Sequence, residues 1–221
     1  MGDKFTIAIK ICLGEELFGS RVNNRMNKFE IKGRKIKLRS FQKSDIEDEI
    51  RWNTIDIEWQ NWDAPWEEIE KIDPILYREK LIIKLKRERP KFYYSLEIEE
   101  LCEGKHIGRV NSYSIDKNYN YIDDDGLFTI GIGIKDLIDR RKGFATEAWI
   151  LFIEYALENG IEEIYTQTWS GNYPVHGLIN KIGFEHVHTK KEYYFHNGEY
   201  IDGYTYKLNL DKFNIVKNNI E

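Results

Sequence analysis

The chain of 221 residues is 41% hydrophobic and 14% aromatic, which is enough for one sizeable core and excludes intrinsic disorder over most of its length. With 33 Lys and Arg against 38 Asp and Glu, the formal net charge of −5 argues against a general nucleic-acid binder and favours a cationic ligand. Two cysteines, Cys12 and Cys102, allow neither a disulfide framework nor a cysteine-rich zinc site, and they fit a reducing cytoplasm.

The domain organisation follows from where regular patterning begins and ends. We expect a single domain at 29–213, an N-terminal extension of unknown role at 1–28 and a C-terminal tail at 214–221. No apolar stretch is long enough to cross a bilayer, so no contact with a membrane is expected. The five histidines share no metal-ligand spacing, and no metal is expected.

Two helices and an aromatic loop are predicted in the N-terminal half, after a first hairpin at 29–38. Ser44 is expected to cap a short helix with acids in its first turn, and a second helix should run from Pro74 to about Arg87. The loop between them is either a lid over a ligand or a satellite core. Its tryptophans are Trp52, Trp59, Trp62 and Trp66.

A hairpin and a glycine-bearing strand follow. Residues 92–98 and 106–115 predict the hairpin, and the run Leu127 to Ile134 predicts a further strand. Gly131 and Gly133 lie inside that strand, where glycine weakens packing unless a bulge or a close ligand requires it. The acidic turn before the strand is either only a turn or a rim that attracts amines. It consists of Asp123, Asp124 and Asp125.

The C-terminal half predicts a long helix from Gly143 to Asn159, a strand at 164–169, a short helix to Lys181 and two closing strands. Strands and helices therefore alternate without an internal repeat. This order indicates one mixed α/β domain.

Three cations, Arg140, Arg141 and Lys142, precede the long helix that Gly143 opens. Cations at a helix N-terminus oppose the helix dipole unless an anion binds there. The unpaired N–H groups of the first turn suit a pyrophosphate, so we predict a phosphate site here. A Rossmann fingerprint lacks its third glycine in this region, and a P-loop lacks its Gly-Lys-Ser/Thr.

The same stretch resembles the GNAT superfamily of acetyl-coenzyme A dependent N-acetyltransferases. Its phosphate loop, Arg/Gln-x-x-Gly-x-Gly/Ala, is matched by Arg140, Gly143 and Ala145. Asn172 follows the next strand and Gly183-Phe184 closes the next helix, as in the family. The order of elements agrees from about residue 34 to 210, and the strand at 129–134 is similar to the family's bulged strand.

This resemblance implies a GNAT-like fold, a strongly bent mixed sheet of about six or seven strands flanked by about four helices. The segment Tyr193 to Tyr204 resembles the ribosomal-protein and spermidine acetyltransferase branch. The implied reaction is direct attack of a primary amine on acetyl-CoA in a ternary complex. The acceptor would be a polyamine, an aminoglycoside or a protein N-terminus, and the protein a monomer or homodimer in the cytoplasm.

The resemblance also implies which residues bind the two substrates. The acceptor would lie beside Trp59, Trp62 and Trp66 and over Asp123 and Asp124. Asn172 should face the ligand, because Pro174 at the first helical position would make Tyr173 the helix cap. Acetyl-CoA would contact Ile132, Gly133, Ile134, Arg140, Arg141, Lys142, Gly143, Phe144, Ala145, Thr146 and Asn172.

The catalytic groups are where the sequence departs from the family. Ile179 stands where many relatives carry a general-acid tyrosine, and Thr129 stands where some carry a glutamate base. The remaining candidates are His176, which shares a helical face with Asn172, together with Asp125 and Tyr173. The sequence therefore leaves two functions open, an active N-acetyltransferase and a non-catalytic acyl-CoA binding module.

Overall fold

The computed structural model describes residues 29–67 and 71–218 of the chain. The predicted extension at 1–28 lies outside the described residues. The described parts contain six α-helices, which are α1 Asp45–Thr54, α2 Gln60–Asp63, α3 Pro74–Leu85, α4 Phe144–Glu158, α5 Tyr173–Ile182 and α6 Leu210–Asn218. They also contain nine strands, which are β1 Glu30–Lys32, β2 Ile36–Arg39, β3 Ser95–Glu100, β4 His106–Ile115, β5 Tyr121–Ile122, β6 Leu127–Ile134, β7 Tyr165–Trp169, β8 Phe184–His196 and β9 Glu199–Leu208.

The strands form one mixed sheet in the order β1-β2-β3-β4-β6-β7-β9-β8, with β5 paired to β4. Neighbouring strands are antiparallel except β6 and β7, which run parallel. The mixed α/β class is therefore confirmed. The expected count of about six or seven strands and four helices was too low for the described residues, because short edge strands and the C-terminal helix carry weak patterns.

The parallel pair β6 and β7 separates in the middle of the sheet. The two strands pair only at Thr129 with Tyr165 and at Ile130 with Thr166, and the Thr166 hydroxyl donates to the Ile130 carbonyl at 2.9 Å. Residues 131–134 of β6 continue alongside β4 but have no partner on the β7 side. A gap thus opens in the sheet beyond Ile130.

The predicted bulge in β6 is absent from its pairing with β4. The register runs without a shift from Gly108 opposite Ile134 to Ile115 opposite Leu127. The glycines of β6 therefore do not serve a bulge, and the irregularity of this region is the separation from β7.

Helix α4 provides the centre of the core. Its apolar positions recur at helical spacing, so one face packs on the sheet while Ala148 and Ala156 let the backbone approach closely. Trp149, Phe152 and Ile153 on this helix are almost completely buried. Burial of such side chains contributes about 1.5–3 kcal/mol each, so α4 fixes the sheet against which the site is built.

Helix α1 begins after Ser44 as predicted, but the Ser44 side chain does not cap it. The Asp45 carboxylate accepts from the Gln42 N–H at 2.7 Å and from the buried Arg39 guanidinium at 2.6 Å. The start of α1 is therefore fixed by an ion pair and a hydrogen bond to the preceding turn, with no side-chain cap.

The C-terminal tail does not begin at 214. Helix α6 runs from Leu210 to Asn218, and its Phe213 is 1% exposed in the core. The helix crosses the predicted boundary because Phe213 anchors it. Within the residues described, no helix is long and apolar enough to span a membrane.

A charged layer lies buried between α1 and strands β3 and β4. His106 contacts the carboxylates of Glu97 at 3.2 Å and Asp48 at 3.4 Å. Burial by itself lowers the pKa of His106, but Asp48, Glu97 and Asp45 raise it to about 9. The imidazolium therefore balances part of the buried negative charge.

We expect stability to depend on this imidazolium. An unfolded histidine titrates near 6.5, so the stabilisation is complete below about pH 6.5 and is lost as pH rises through about 9. The free energy of unfolding should fall by about 1–3 kcal/mol between pH 7 and 9.5, measured by urea denaturation. His106→Gln should remove this slope and the exposed His186→Gln should keep it. An unchanged slope in His106→Gln would refute the assignment.

Candidate active site

One large cavity of about 1510 Å³ passes through the gap between β6 and β7. Both faces of β6 contribute to its lining, since Ile132 and Ile134 belong to the α4 side and Gly131 and Gly133 to the opposite side. A cavity of this volume exceeds the usual range for one small ligand, and it suits two substrates that meet at the strand.

The N-terminus of α4 forms one end of the cavity. Gly143 caps the helix with a φ of 88°, and Arg141 also has a positive φ of 63°. The first backbone bond of the helix is donated by the Glu147 N–H to the Gly143 carbonyl at 3.1 Å. Among the residues described, the N–H groups of 141–146 donate no hydrogen bond, so they are available to an anion at this end of the cavity.

The side chains of Arg140 and Lys142 make different contacts. Arg140 donates to the backbone carbonyls of Ile134 and Lys135 at 3.1 and 3.3 Å, so it ties the loop to the end of β6. Lys142 does not line the cavity, because its ammonium pairs with Asp139 at 3.2 Å. Lys142 was predicted to contact the cofactor, and the structure gives its side chain no place there.

A cation that the sequence did not indicate stands beside the loop. Lys35, in the turn before β2, donates to the Lys142 carbonyl at 3.2 Å, and its ammonium lies 3.6 Å from the point where a side chain at Gly143 would begin. The Glu147 carboxylate accepts from the Lys35 N–H at 3.0 Å and holds this turn against α4. The contact spans more than a hundred residues of sequence, so local patterns could not reveal it.

The free edge of β6 supplies backbone donors at the centre of the cavity. The Lys135 N–H donates to Ile107 of β4 at 3.0 Å, and amide directions alternate along a strand. The N–H groups of Ile132 and Ile134 therefore point toward the gap, where no strand pairs with them. They can hydrogen-bond an extended ligand or polarise a carbonyl.

The predicted tryptophan loop forms one wall of the cavity, since Trp59, Trp62 and Trp66 all line it. The Trp62 carbonyl accepts from Trp169 Nε1 at 3.1 Å and from Asn172 Nδ2 at 2.6 Å. Trp66 stacks on Tyr194 with 4.6 Å between ring centroids. The wall therefore joins α2 to the far side of the gap.

Two carboxyl groups of this loop also reach the cavity, and the sequence analysis did not single them out. Asp63 ends α2, and Glu67 follows it by four residues. Asp63 is exposed toward the cavity, but the protein atoms around it raise its pKa, and Lys135 and Arg109 partly oppose the rise. Burial and the Asp63 charge raise the pKa of Glu67 to about 7. A carboxylate with such a pKa is suited to accept a proton near neutral pH.

The acidic turn lies away from the cavity. Asp123, Asp124 and Asp125 are exposed and line no part of it, and the Asp123 carboxylate accepts from the Tyr121 hydroxyl at 2.6 Å. The strand from Leu127 to Gly131 separates the turn from the gap by about 13 Å. The acidic turn therefore lies off the cavity, whereas the carboxyl groups of Asp63 and Glu67 line it.

His176 shares a helical face with Asn172, but only Asn172 lines the cavity, and the His176 side chain does not. The His176 ring nitrogens hydrogen-bond to the Trp169 carbonyl at 3.0 Å and to the Tyr206 hydroxyl at 3.2 Å. The geometric reason for ranking it first among the catalytic candidates is thus removed. Ile179 is completely buried in the core, so this position offers no general acid.

Asn172, and not the predicted Tyr173, caps helix α5. Asn172 is itself the N-cap of α5, accepting from the Val175 N–H at 3.4 Å, while its amide donates to Trp62. Tyr173 is 75% exposed and lies inside the helix at the cavity rim. Asn172 lines the cavity, but its amide donates to the Trp62 carbonyl of the tryptophan loop and is not free to face a ligand.

A possible metal cluster lies behind this site, among buried groups of the described residues. Ligand atoms of Glu49, Glu97 and His106 lie within 4.8 Å of one another. Arg109 donates to Glu49 at 3.1 Å and Lys84 to Glu97 at 3.4 Å. Because side-chain cations already compensate these carboxylates, the donor set does not call for an ion.

The chain is similar to proteins of known family. The family model for an acetyltransferase (GNAT) domain matches residues 35–185, which is more than half of the chain. The chain belongs to the GNAT acetyltransferase family. The resemblance drawn from the loop and the order of elements is thereby confirmed. No curated protein sequence matches the chain significantly.

Solved GNAT structures share the fold. A ribosomal-protein-S5-alanine acetyltransferase from Vibrio fischeri superposes with a TM-score of 0.61 at 16% identity, over 81% of this chain and 95% of that chain. A GCN5-related N-acetyltransferase from Brucella melitensis gives 0.61 at 17% identity, over 88% and 87%. RimJ of Mycobacterium smegmatis, in complex with CoA-disulfide, gives 0.53 at 16% identity, over 80% and 83%.

We expect Asn172→Ala to destabilise this GNAT domain, because it removes the α5 cap and one of the two bonds to the Trp62 carbonyl. The free energy of unfolding should fall by about 1–2 kcal/mol in urea denaturation. Tyr173→Ala, one residue away and exposed, should change it by less than about 0.5 kcal/mol. Equal effects of the two changes would contradict the role assigned to Asn172.

Proposed function

We propose that this protein transfers the acetyl group of acetyl-CoA to a primary amine, by direct attack within the cavity between β6 and β7. The observation that carries the proposal is a single cavity with unpaired amides of 141–146 at one end and two carboxyl groups with raised pKa at the other. The free edge of β6 lies between the two ends.

The donor end of the cavity, at the N-terminus of α4, fits the pyrophosphate of acetyl-CoA and the extended arm that joins it to the thioester. The amides of 141–146, with Arg141 and Lys35 nearby, suit two phosphate groups. The N–H groups of Ile132 and Ile134 can then hydrogen-bond the arm as an added strand. The RimJ neighbour, solved with CoA-disulfide, supports this choice of ligand class.

The acceptor end fits an amine. An aliphatic amine with a pKa near ~10 arrives protonated, so an ammonium would be attracted to the Asp63 and Glu67 carboxylates and to the aromatic wall. Glu67, with a pKa of about 7, can then accept the proton that the amine must lose before attack. The neighbour named as acting on a ribosomal protein makes a protein N-terminus one acceptor to test, besides polyamines and aminoglycosides.

The chemistry of the step needs no side-chain acid. The Ile132 or Ile134 N–H polarises the thioester carbonyl, and the amine attacks from the Gly131–Gly133 face, where the two glycines leave room beside the Lys135 side chain. A thiol with a pKa near ~8.5, like that of cysteine, leaves as the thiolate near neutral pH. The buried Ile179 is consistent with this route.

Substitution of Gly143 tests the donor end. Gly143→Val should weaken acetyl-CoA binding by at least ~10-fold, about 1.4 kcal/mol, because a side chain would stand where the anion approaches. Gly160→Val is the matched control, since Gly160 has a similar φ of 86° and nothing within 4 Å. Titration calorimetry should show unchanged affinity for the control. Equal losses, or none, would place the phosphate site elsewhere.

Substitution of the loop carboxylates tests the acceptor end. Coenzyme A release with a panel of amines identifies an accepted amine, and no release from any member would favour the binding module. For an accepted amine, kcat should rise with pH through about 7, and Glu67→Gln should lower kcat by ~10²-fold and abolish that rise.

Asp63→Asn should mainly raise the KM for the amine, because it removes charge from the mouth of the acceptor end. The triple change of Asp123, Asp124 and Asp125 to Asn should leave the KM unchanged, since these residues lie off the cavity. A raised KM in the triple variant with none in Asp63→Asn would restore the acidic turn as the acceptor rim.

A further inference from the structure

Lys135 is a buried amine at the point where the two ends of the cavity meet. It follows directly on β6, is 6% exposed and lines the cavity. Its side chain folds back along the strand, so that Nζ lies 3.7 Å from the point where a side chain at Gly133 would begin. The Lys135 amine is therefore beside the stretch of β6 whose amides face the gap.

No hydrogen bond or ion pair holds this amine among the residues that the structure describes. Its contact is with the Trp59 ring, where Nζ stands 2.9 Å from the ring centroid. Other buried cations of the chain are paired, such as Arg39 with Asp45. A charged lysine without an ion-pair partner is costly to bury, and this cost disfavours the charged form of the amine.

The surroundings also favour the neutral form of the amine. Burial lowers the pKa of Lys135 and the neighbouring Arg109 lowers it further, to about 7, against the opposite effect of Glu49 and Asp63. A large share of this amine is then unprotonated near neutral pH, whereas an exposed lysine is almost fully charged. An unprotonated amine is a nucleophile.

We infer that Lys135 is a site of self-acetylation, in which its side-chain amine attacks acetyl-CoA bound in the same cavity when no acceptor is present. The lone pair of Nζ bonds to the thioester carbonyl carbon, and the carbon–sulfur bond breaks. One proton of Nζ leaves with the thiolate. The products are acetylated Lys135 and free coenzyme A.

The inference rests on the proposed function, because it needs acetyl-CoA in the cavity, but it adds a second acceptor that belongs to the chain. Acetylation would remove the positive charge that opposes the rise in the Asp63 pKa. It would also place an acetyl group beside Gly133, on the face from which an external amine must approach. Self-acetylation would thus occur once per chain and slow later turnover.

The experiment incubates the full chain with acetyl-CoA and no amine, and follows intact mass, peptide mapping and coenzyme A release. We expect a burst of about one coenzyme A per chain, with the acetyl group on Lys135. Lys43 and Lys117, which are exposed, should be acetylated at least ~10-fold more slowly. Lys135→Met should release no burst, and Gly143→Val should slow the modification to the level of the exposed lysines.

Binding of acetyl-CoA is measured on the same sample by calorimetry. This measurement separates the self-acetylation of Lys135 from the proposed acetyltransferase function. Binding without acetylation of Lys135 would overturn this inference and leave the proposed function standing. So would modification of Lys135 at the rate of Lys43 and Lys117, or a rate that Gly143→Val does not change. Absence of binding would overturn the donor site itself.

Discussion

The short pairing of β6 with β7 is the constraint from which the site follows. Two parallel strands that share only two paired positions must diverge, and the divergence leaves the amides of Ile132 and Ile134 without a strand to bond. Unpaired backbone groups in a protein interior need a partner, and here an extended ligand can supply it. The N–H groups at the start of α4, beyond the gap, also lack a partner, and a pyrophosphate can supply one. Under the proposed function, recognition of the donor would therefore depend mainly on the backbone.

The charged layer behind the cavity explains how the acceptor end can hold unusual protonation states. His106, Glu97 and their neighbours compensate one another, so the layer is stable without leaving excess charge to the cavity. Arg109 belongs both to this layer and to the cavity lining, and its charge lowers the pKa of Lys135. A substitution in the layer is thus expected to alter the acceptor end without touching a substrate.

The helix N-terminus that we propose for the donor could be located from the sequence, whereas the carboxyl groups that we propose for the acceptor could not, for a physical reason. Cations before a glycine-opened helix form a local signal, and Gly143 lies where that signal places it. The acceptor end contains Glu67 of the tryptophan loop and Lys135, which follows β6. These residues are far apart in the sequence, so no spacing along the chain predicts that they line one cavity. His176 shows the same limit, since helical periodicity grouped it with Asn172 but could not show that the His176 ring hydrogen-bonds to Trp169 and Tyr206 instead of lining the cavity.

The Trp62 carbonyl spans the gap that the sheet leaves open. It belongs to the half of the molecule built on α1 and α2, whereas both of its donors, Trp169 and Asn172, belong to the half built on β7 and α5. Each bond contributes about 1 kcal/mol, so the halves are fastened at this point by about 2 kcal/mol. The stacking of Trp66 on Tyr194 adds a second contact across the same gap. The width of the cavity is therefore set by one peptide group and one aromatic pair, both contributed by the tryptophan loop.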